Sequence, residues 1–246
     1  MKNLVAYITT GYPDKNFTID LAHSLKEAGV DSLELGIPFS DPVADGPVIE
    51  AANLFALRNG FRISDLFEVS EKIAPVIDTL WMGYFNPFYH KGIDHFLNRA
   101  KELGVSGFII PDLPHEEAAA YKEAFDEKDV ALIEFVAPTD TPERIAKIVK
   151  DSKKFIYMVA YAGITGADRS ESLEPIIETV REHTDTPLYI GFGVDEKTAK
   201  QKARGVDGVI VGSAFVRILL KENLTNSQKI DKISTLARSI KDQING

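Results

Sequence analysis

Short β-rich runs alternate with longer helical stretches along the whole chain, and this alternation limits the fold more than any single motif does. Apolar, strand-like segments fall at Leu4–Thr9, Ser32–Ile37, Thr79–Met82, Gly107–Pro111, Ala131–Val136, Phe155–Ala160, Leu188–Gly191 and Gly208–Val211. Between them apolar residues recur at helical spacing, as in Phe17–Ala28, Ile93–Leu103, Ala118–Lys128, Pro142–Val149, Leu173–His183 and Thr198–Ala203. A local echo marks the repeating unit: AGVDSLEL starts at Ala28, LGVSGFII at Leu103 and RGVDGVIV at Arg204. In each, a glycine can end a helix in the left-handed conformation before a short turn feeds the next strand. Strict βα alternation calls for parallel strands with helical crossovers. Eight such units in 246 residues fit one closed (β/α)₈ barrel, with a doubly wound open sheet as the alternative. Their even spread, without a linker or low-complexity segment, favours a single barrel domain over residues 1–246.

Composition narrows the chemistry. There are no cysteines, which removes disulfides, thiolate metal sites and cysteine nucleophiles. The formal net charge of −9 argues against nucleic acid or an anionic membrane as partner, although a few local backbone donors can still hold a small anion. No apolar run reaches the length of a membrane span, and MKNLVAYITTGYP has no apolar core of signal-peptide length. A cytoplasmic protein is expected.

In a (β/α)₈ barrel the chemistry sits where the strands end and the βα loops begin. The second strand runs into ELGIPFSDPVADGP, starting at Glu34. Alternation puts Leu33, Leu35 and Ile37 on one face, suited to the helix layer, and leaves Glu34 pointing into the barrel mouth. A carboxyl held there is costly to ionise, so its pKa should rise towards a value useful for proton transfer. The other reading, a structural ion pair, lacks a Lys or Arg near any strand end. Asp45, in ADGP, is by itself an ordinary turn residue; beside an inward Glu34 it becomes a second acid on the same pocket. Asp41, in SDP, is expected to bond its own loop backbone and fix its shape.

The later strands end in glycine-rich loops: AGITG (162–166), GFG (191–193) and VGSAF (211–215). Glycines there let main-chain N–H groups approach an anion, and the loops after strands 7 and 8 are the recurrent phosphate site of this fold. Tyr7, Ile49, Met82, Tyr84, Tyr157 and Phe192 lie at or near the same strand ends, where they serve either as barrel core or as a wall for a flat apolar group. No lysine sits late in a strand to form a Schiff base, and the five histidines show no metal-ligand spacing, so no metal is expected. His115 in PDLPHEE is better placed to start a helix than to reach the site. What remains is acid–base chemistry by two carboxylates on a phosphorylated small molecule.

LELGIPFSDPVADGP, followed in order by YMVAYAGITG, YIGFGV and VIVGSAFV, resembles the tryptophan synthase α-subunit family over nearly the whole chain. The first segment is distinctive, whereas the glycine loops alone are common to related barrels. The resemblance implies retro-aldol cleavage of indole-3-glycerol phosphate to indole and glyceraldehyde 3-phosphate. It also implies an α₂β₂ assembly in which indole passes to a β subunit carrying pyridoxal phosphate, with no cofactor in this chain. The family's catalytic glutamate falls on Glu34, its aspartate on Asp45 and its assisting tyrosine on Tyr157. Phosphate-binding positions fall on Gly166, Gly193, Gly212 and Ser213, the mobile-loop threonine on Thr165, and the loop facing the partner on Pro38, Asp41 and Pro42. Two departures stand out: members commonly place a helix ahead of strand 1, and many carry serine and arginine where this chain has Ala160 and Tyr161. Two rivals stay open, a sugar-phosphate isomerase or epimerase sharing the glycine loops, and a non-catalytic subunit that only activates its partner.

Overall fold

The computed structural model describes residues 1–159 and 173–246. Nine strands are assigned: β1 (Asn3–Thr9), β2 (Ser32–Gly36), β3 (Asp78–Met82), β4 (Gly107–Ile109), β5 (Ala131–Leu132), β6 (Glu134–Val136), β7 (Ile156–Val159), β8 (Leu188–Gly191) and β9 (Gly208–Val211). Every pairing is parallel, in the order β5-β4-β3-β2-β1-β9-β8-β7-β6. The two ends of that list, β5 and β6, are halves of one run split at Ile133. Its first half pairs with β4 and its second with β7. Ile133 itself donates its N–H to the Phe108 carbonyl at 2.9 Å. The sheet therefore meets itself within a single stretch of chain, giving a nearly closed barrel of eight staves and not an open sheet.

The helices are α1 (Lys15–Glu27), α2 (Pro47–Arg58), α3 (Ile63–Ile73), α4 (Phe85–Lys91), α5 (Ile93–Leu103), α6 (His115–Ala118), α7 (Lys122–Lys128), α8 (Pro142–Val149), α9 (Glu174–His183), α10 (Ala199–Lys202), α11 (Ser213–Leu219) and α12 (Asn226–Asn245). Local chemistry sets many of their ends. Asp14 caps α1 by accepting from the Phe17 N–H at 2.9 Å, and Phe17, Leu21 and Leu25 then recur on the face that packs inward. The three echoed glycines, Gly29, Gly104 and Gly205, all have positive φ and end their helices as the repeat implies. One expectation fails: the helix predicted over Ala118–Lys128 is broken into α6 and α7. Between them the Ala120 and Tyr121 N–H groups bond three residues back, and the Tyr121 ring packs on Phe85 at 5.3 Å. The last predicted residue of the sixth strand, Ala160, lies outside the described residues.

Two apolar layers follow from strand alternation. Leu33 and Leu35 are fully buried between β2 and the helices, in the larger core with Trp81, Phe96 and Phe108. A smaller cluster fills the barrel itself: Val5, Leu80, Ile109, Ile133, Phe155, Tyr157, Tyr189 and Ile210. Glu34 belongs to the inward-facing set, in register with Tyr7 and Leu80.

β1 starts at Asn3, at the bottom of the barrel. Polar side chains from several staves meet there. Asp78 accepts from Ser32 Oγ at 2.6 Å and from Lys154 Nζ at 2.9 Å. Burial works against its charge, but the hydroxyls of Ser106 and Ser32 and the Lys154 ammonium outweigh it and hold the carboxyl below its usual range. Asn3 bonds the Tyr189 hydroxyl, and the Tyr189 ring stacks on Phe155 at 4.5 Å. The end of α12 secures the first residues: Lys241 Nζ reaches the Lys2 carbonyl at 2.9 Å and Asp31 at 2.5 Å. Asp31 in turn accepts the Leu4 N–H at 2.6 Å.

Candidate active site

Glu34 is 2% exposed, and its Oε1 has no hydrogen-bond partner among the described residues. No cation pairs with it among those residues, so the structural ion pair is absent there. Burial, and then the nearby Asp45 charge, push its pKa up to about 8. At neutral pH it is a protonated acid with a free oxygen, which is the state a proton donor needs.

Asp45 sits in the loop that joins β2 to α2. Asn53 Nδ2, two turns into α2, donates to Asp45 Oδ2 at 3.2 Å. The Tyr84 hydroxyl also bonds this carboxylate, and it accepts the Ala44 N–H at 3.0 Å. Burial raises the Asp45 pKa to about 6 against the pull of those two hydrogen bonds. A buried and a half-buried carboxyl thus face one space with separate pKa values, the arrangement that divides acid from base. Neither Asn53 nor the anchoring role of Tyr84 was anticipated. Asn53 did leave a signal, an amide within the buried face of α2 beside Ala52 and Ala56.

Tyr84, expected in the apolar wall, commits its hydroxyl to the loop and stacks its ring on Phe39 at 5.2 Å. It is this contact that secures the loop. Asp41, expected to bond the loop backbone, is exposed and bonds the Ser40 hydroxyl instead. Water competes for an exposed carboxylate at the loop apex, whereas the Ala44 N–H is met further in by the tyrosine. Of the expected partner-facing residues, Pro38 is buried, Asp41 exposed and Pro42 half-buried.

Tyr157, on β7, is buried between Phe135, stacked at 5.0 Å, and Phe192, edge-on at 6.1 Å. Its pKa is raised first by burial and then by the charges of Glu34 and Asp45. Tyr7 is raised likewise by burial, Asp45 and Glu34. Both tyrosines cross a glycine on the next strand. A Cβ at Gly191 would overlap the Tyr157 hydroxyl, and one at Gly36 the Tyr7 hydroxyl. The structure therefore brings Glu34, Asp45, Tyr157 and Tyr7 to one end of the barrel.

The glycine loops after β8 and β9 adjoin that cluster. A Cβ at Gly212, just ahead of α11, would stand 3.4 Å from Tyr7 Cβ and 3.6 Å from Ile49 Cδ1. Met82 is in register with Gly36 and packs against the barrel interior, while Phe192 is 38% exposed beside the mouth. Gly193 has φ +66°, and Ser213 is the first residue of α11. Thr165 and Gly166, with Tyr161, lie outside the described residues. His115 opens α6 and sets Nδ1 3.0 Å from Glu134 Oε1, a helix-start position as expected.

The family model for the tryptophan synthase alpha chain matches residues 1–245. This chain belongs to that family. A tryptophan synthase alpha chain of Wolinella succinogenes is 60% identical over 246 residues, covering 100% of this chain and 96% of the relative. A ligand-free tryptophan synthase structure from M. tuberculosis superposes with a TM-score of 0.88 at 33% identity, covering 100% of this chain and 94% of that one. Tryptophan synthase subunit alpha from Campylobacter jejuni gives 0.87 at 33% identity, over 97% and 95%. Membership in the tryptophan synthase alpha family separates the chain from the sugar-phosphate isomerases that share only its glycine loops.

Proposed function

We propose that this chain cleaves indole-3-glycerol phosphate to indole and glyceraldehyde 3-phosphate, and that a β subunit consumes the indole in the last step of tryptophan synthesis. The observation that carries this reading is the buried Glu34 carboxyl, its Oε1 without a hydrogen-bond partner among the described residues and its pKa raised to about 8 by burial and the Asp45 charge.

Indole leaves as an electron-rich carbon, which is unfavourable unless the ring first becomes an electron sink. Protonated Glu34 delivers its proton to C3, converting the ring to an indolenine. The positive charge that develops at the ring N–H is stabilised by the Asp45 carboxylate, itself aimed by Tyr84 and Asn53. Glu34, now a carboxylate, takes the proton of the adjacent glycerol hydroxyl as the carbon–carbon bond breaks. The bond electrons return to the ring, and an aldehyde and indole result. One proton moves from oxygen to carbon, so the acid ends as it began. Tyr157, buried beside both acids, assists at the reacting centre, and Tyr7, Ile49, Met82 and Phe192 wall the indole. Gly193, Gly212 and Ser213, with Gly166, hold the phosphate. The reaction uses acid–base groups of this chain without a metal or cofactor; pyridoxal phosphate belongs to the β subunit of an α₂β₂ assembly, with Asp41 and Pro42 on the facing loop.

This division of roles sets a pH dependence. Asp45 must be ionised, which requires a pH above about 6, and Glu34 must be protonated, which requires a pH below about 8. The pH profile of kcat/KM is expected to be a bell with limbs near those values. Asp45→Asn should lower the plateau and remove the acid limb. An unchanged acid limb in that variant would contradict the role given to Asp45.

A further inference from the structure

The loop that leaves β8 carries an unusual backbone. Phe192 and Gly193 are both left-handed, with φ of +67° and +66°. For a phenylalanine this conformation is strained and persists only where its surroundings impose it. Two side chains do so. Lys202 Nζ, at the end of α10, donates to the Phe192 carbonyl at 2.6 Å. Thr198 Oγ1 donates to the Gly193 carbonyl at 2.9 Å. Thr198 is itself fixed, since its Oγ1 accepts the Asp195 N–H at 2.9 Å and its N–H bonds Asp195 Oδ1 at 3.0 Å.

In a trans peptide the N–H points opposite to the carbonyl of the same unit. With the Phe192 carbonyl drawn to Lys202, the Gly193 N–H is turned away from α10. With the Gly193 carbonyl drawn to Thr198, the Val194 N–H is turned likewise. Neither N–H bonds a backbone or side-chain acceptor among the described residues. Successive free N–H groups of this kind form an anion-binding concavity. A Cβ at Gly193 would stand 3.0 Å from Lys202 Nζ, so the ammonium lies directly behind the glycine.

We infer that Lys202 is a positioning residue for the phosphate of the substrate: it pins the Phe192 carbonyl outward, aims the Gly193 N–H at the anion and places a positive charge behind that loop. The inference rests on the reading of this loop as the phosphate-binding end. It assigns part of the phosphate affinity to a side chain outside the glycine motifs, one that meets the indole wall only through the Phe192 main-chain carbonyl. A favourable charge at this position also answers the chain's overall negative charge, which otherwise works against a dianionic ligand.

The test is a titration of glyceraldehyde 3-phosphate and, separately, of indole into the wild type, Lys202→Met and Lys202→Arg, with steady-state rates on the same samples. Lys202→Met is expected to weaken the phosphate ligand about tenfold, the size of one charge-assisted hydrogen bond. KM should rise in step while kcat and indole affinity stay near wild type, and Lys202→Arg should recover most of the loss. Partial unfolding would weaken both ligands by the same factor, so it cannot imitate a loss confined to the phosphate ligand. Wild-type phosphate affinity in Lys202→Met overturns the inference, as does an equal loss for both ligands that arginine does not restore. Failure of the wild type itself to bind glyceraldehyde 3-phosphate removes the phosphate reading of the loop, and the inference with it.

Discussion

Glu34→Gln is expected to lower the rate of indole release by roughly 10² to 10⁴-fold, the range contributed by a general acid–base group. The substitution keeps the side chain's size and one carbonyl oxygen but removes the transferable proton. Its effect should fall on kcat, because the phosphate end of the site is built from other strands. The β2 stave supplies Glu34, whereas Gly193 and Gly212 follow β8 and β9. Binding of glyceraldehyde 3-phosphate should therefore stay within about twofold of wild type. Steady-state assays beside a binding titration separate the two quantities. A Glu34→Gln enzyme that turns over at the wild-type rate would remove Glu34 from the mechanism.

The same residue should cost the fold stability at alkaline pH, and this is the second large effect. In the unfolded chain the carboxyl ionises near 4.5, whereas in the fold it keeps its proton to about 8. Between those values the folded state binds the extra proton, so stability falls as pH rises, by about 1.4 kcal/mol per unit at most. The contribution is fully present below the unfolded pKa and is lost by the time the pH passes the folded one. Water entering the mouth on ionisation trims the sum to a few kcal/mol. Asp45, raised to about 6, adds a loss of the same sign at lower pH. Glutamine cannot ionise, so the gap in unfolding free energy between Glu34→Gln and wild type should widen from pH 5 to pH 8 and then level. Denaturant melts across that range measure it. Parallel pH dependences in the two proteins would show that Glu34 is not held protonated.

The period of two in DSLELGI fixed the side to which Glu34 points, because the leucines on the other face have only the helix layer to fill. Gly29, Gly104 and Gly205 announced the repeating unit, since each recurs at the same step of a βα unit and each adopts the left-handed conformation. What escaped depends on how distant segments return to one another. Tyr84 reads as one more apolar residue until its hydroxyl is seen holding Ala44 and Asp45. The break at Ile133 serves the closure of the barrel and has no local signature. The polar closure beneath it draws Asp78, Ser32, Ser106 and Lys154 from different staves, which no window of sequence contains together. Lys202 lies on a helix of four residues, too short for its spacing to indicate a face.

The purified chain is incubated with indole-3-glycerol phosphate, alone and with saturating β subunit, and indole and glyceraldehyde 3-phosphate are quantified against a Glu34→Gln control. The account predicts equal amounts of the two products, slowly from the chain alone and faster with the partner, and only a trace from the control. Folded chain that releases no more indole than Glu34→Gln, with or without the β subunit, would contradict it.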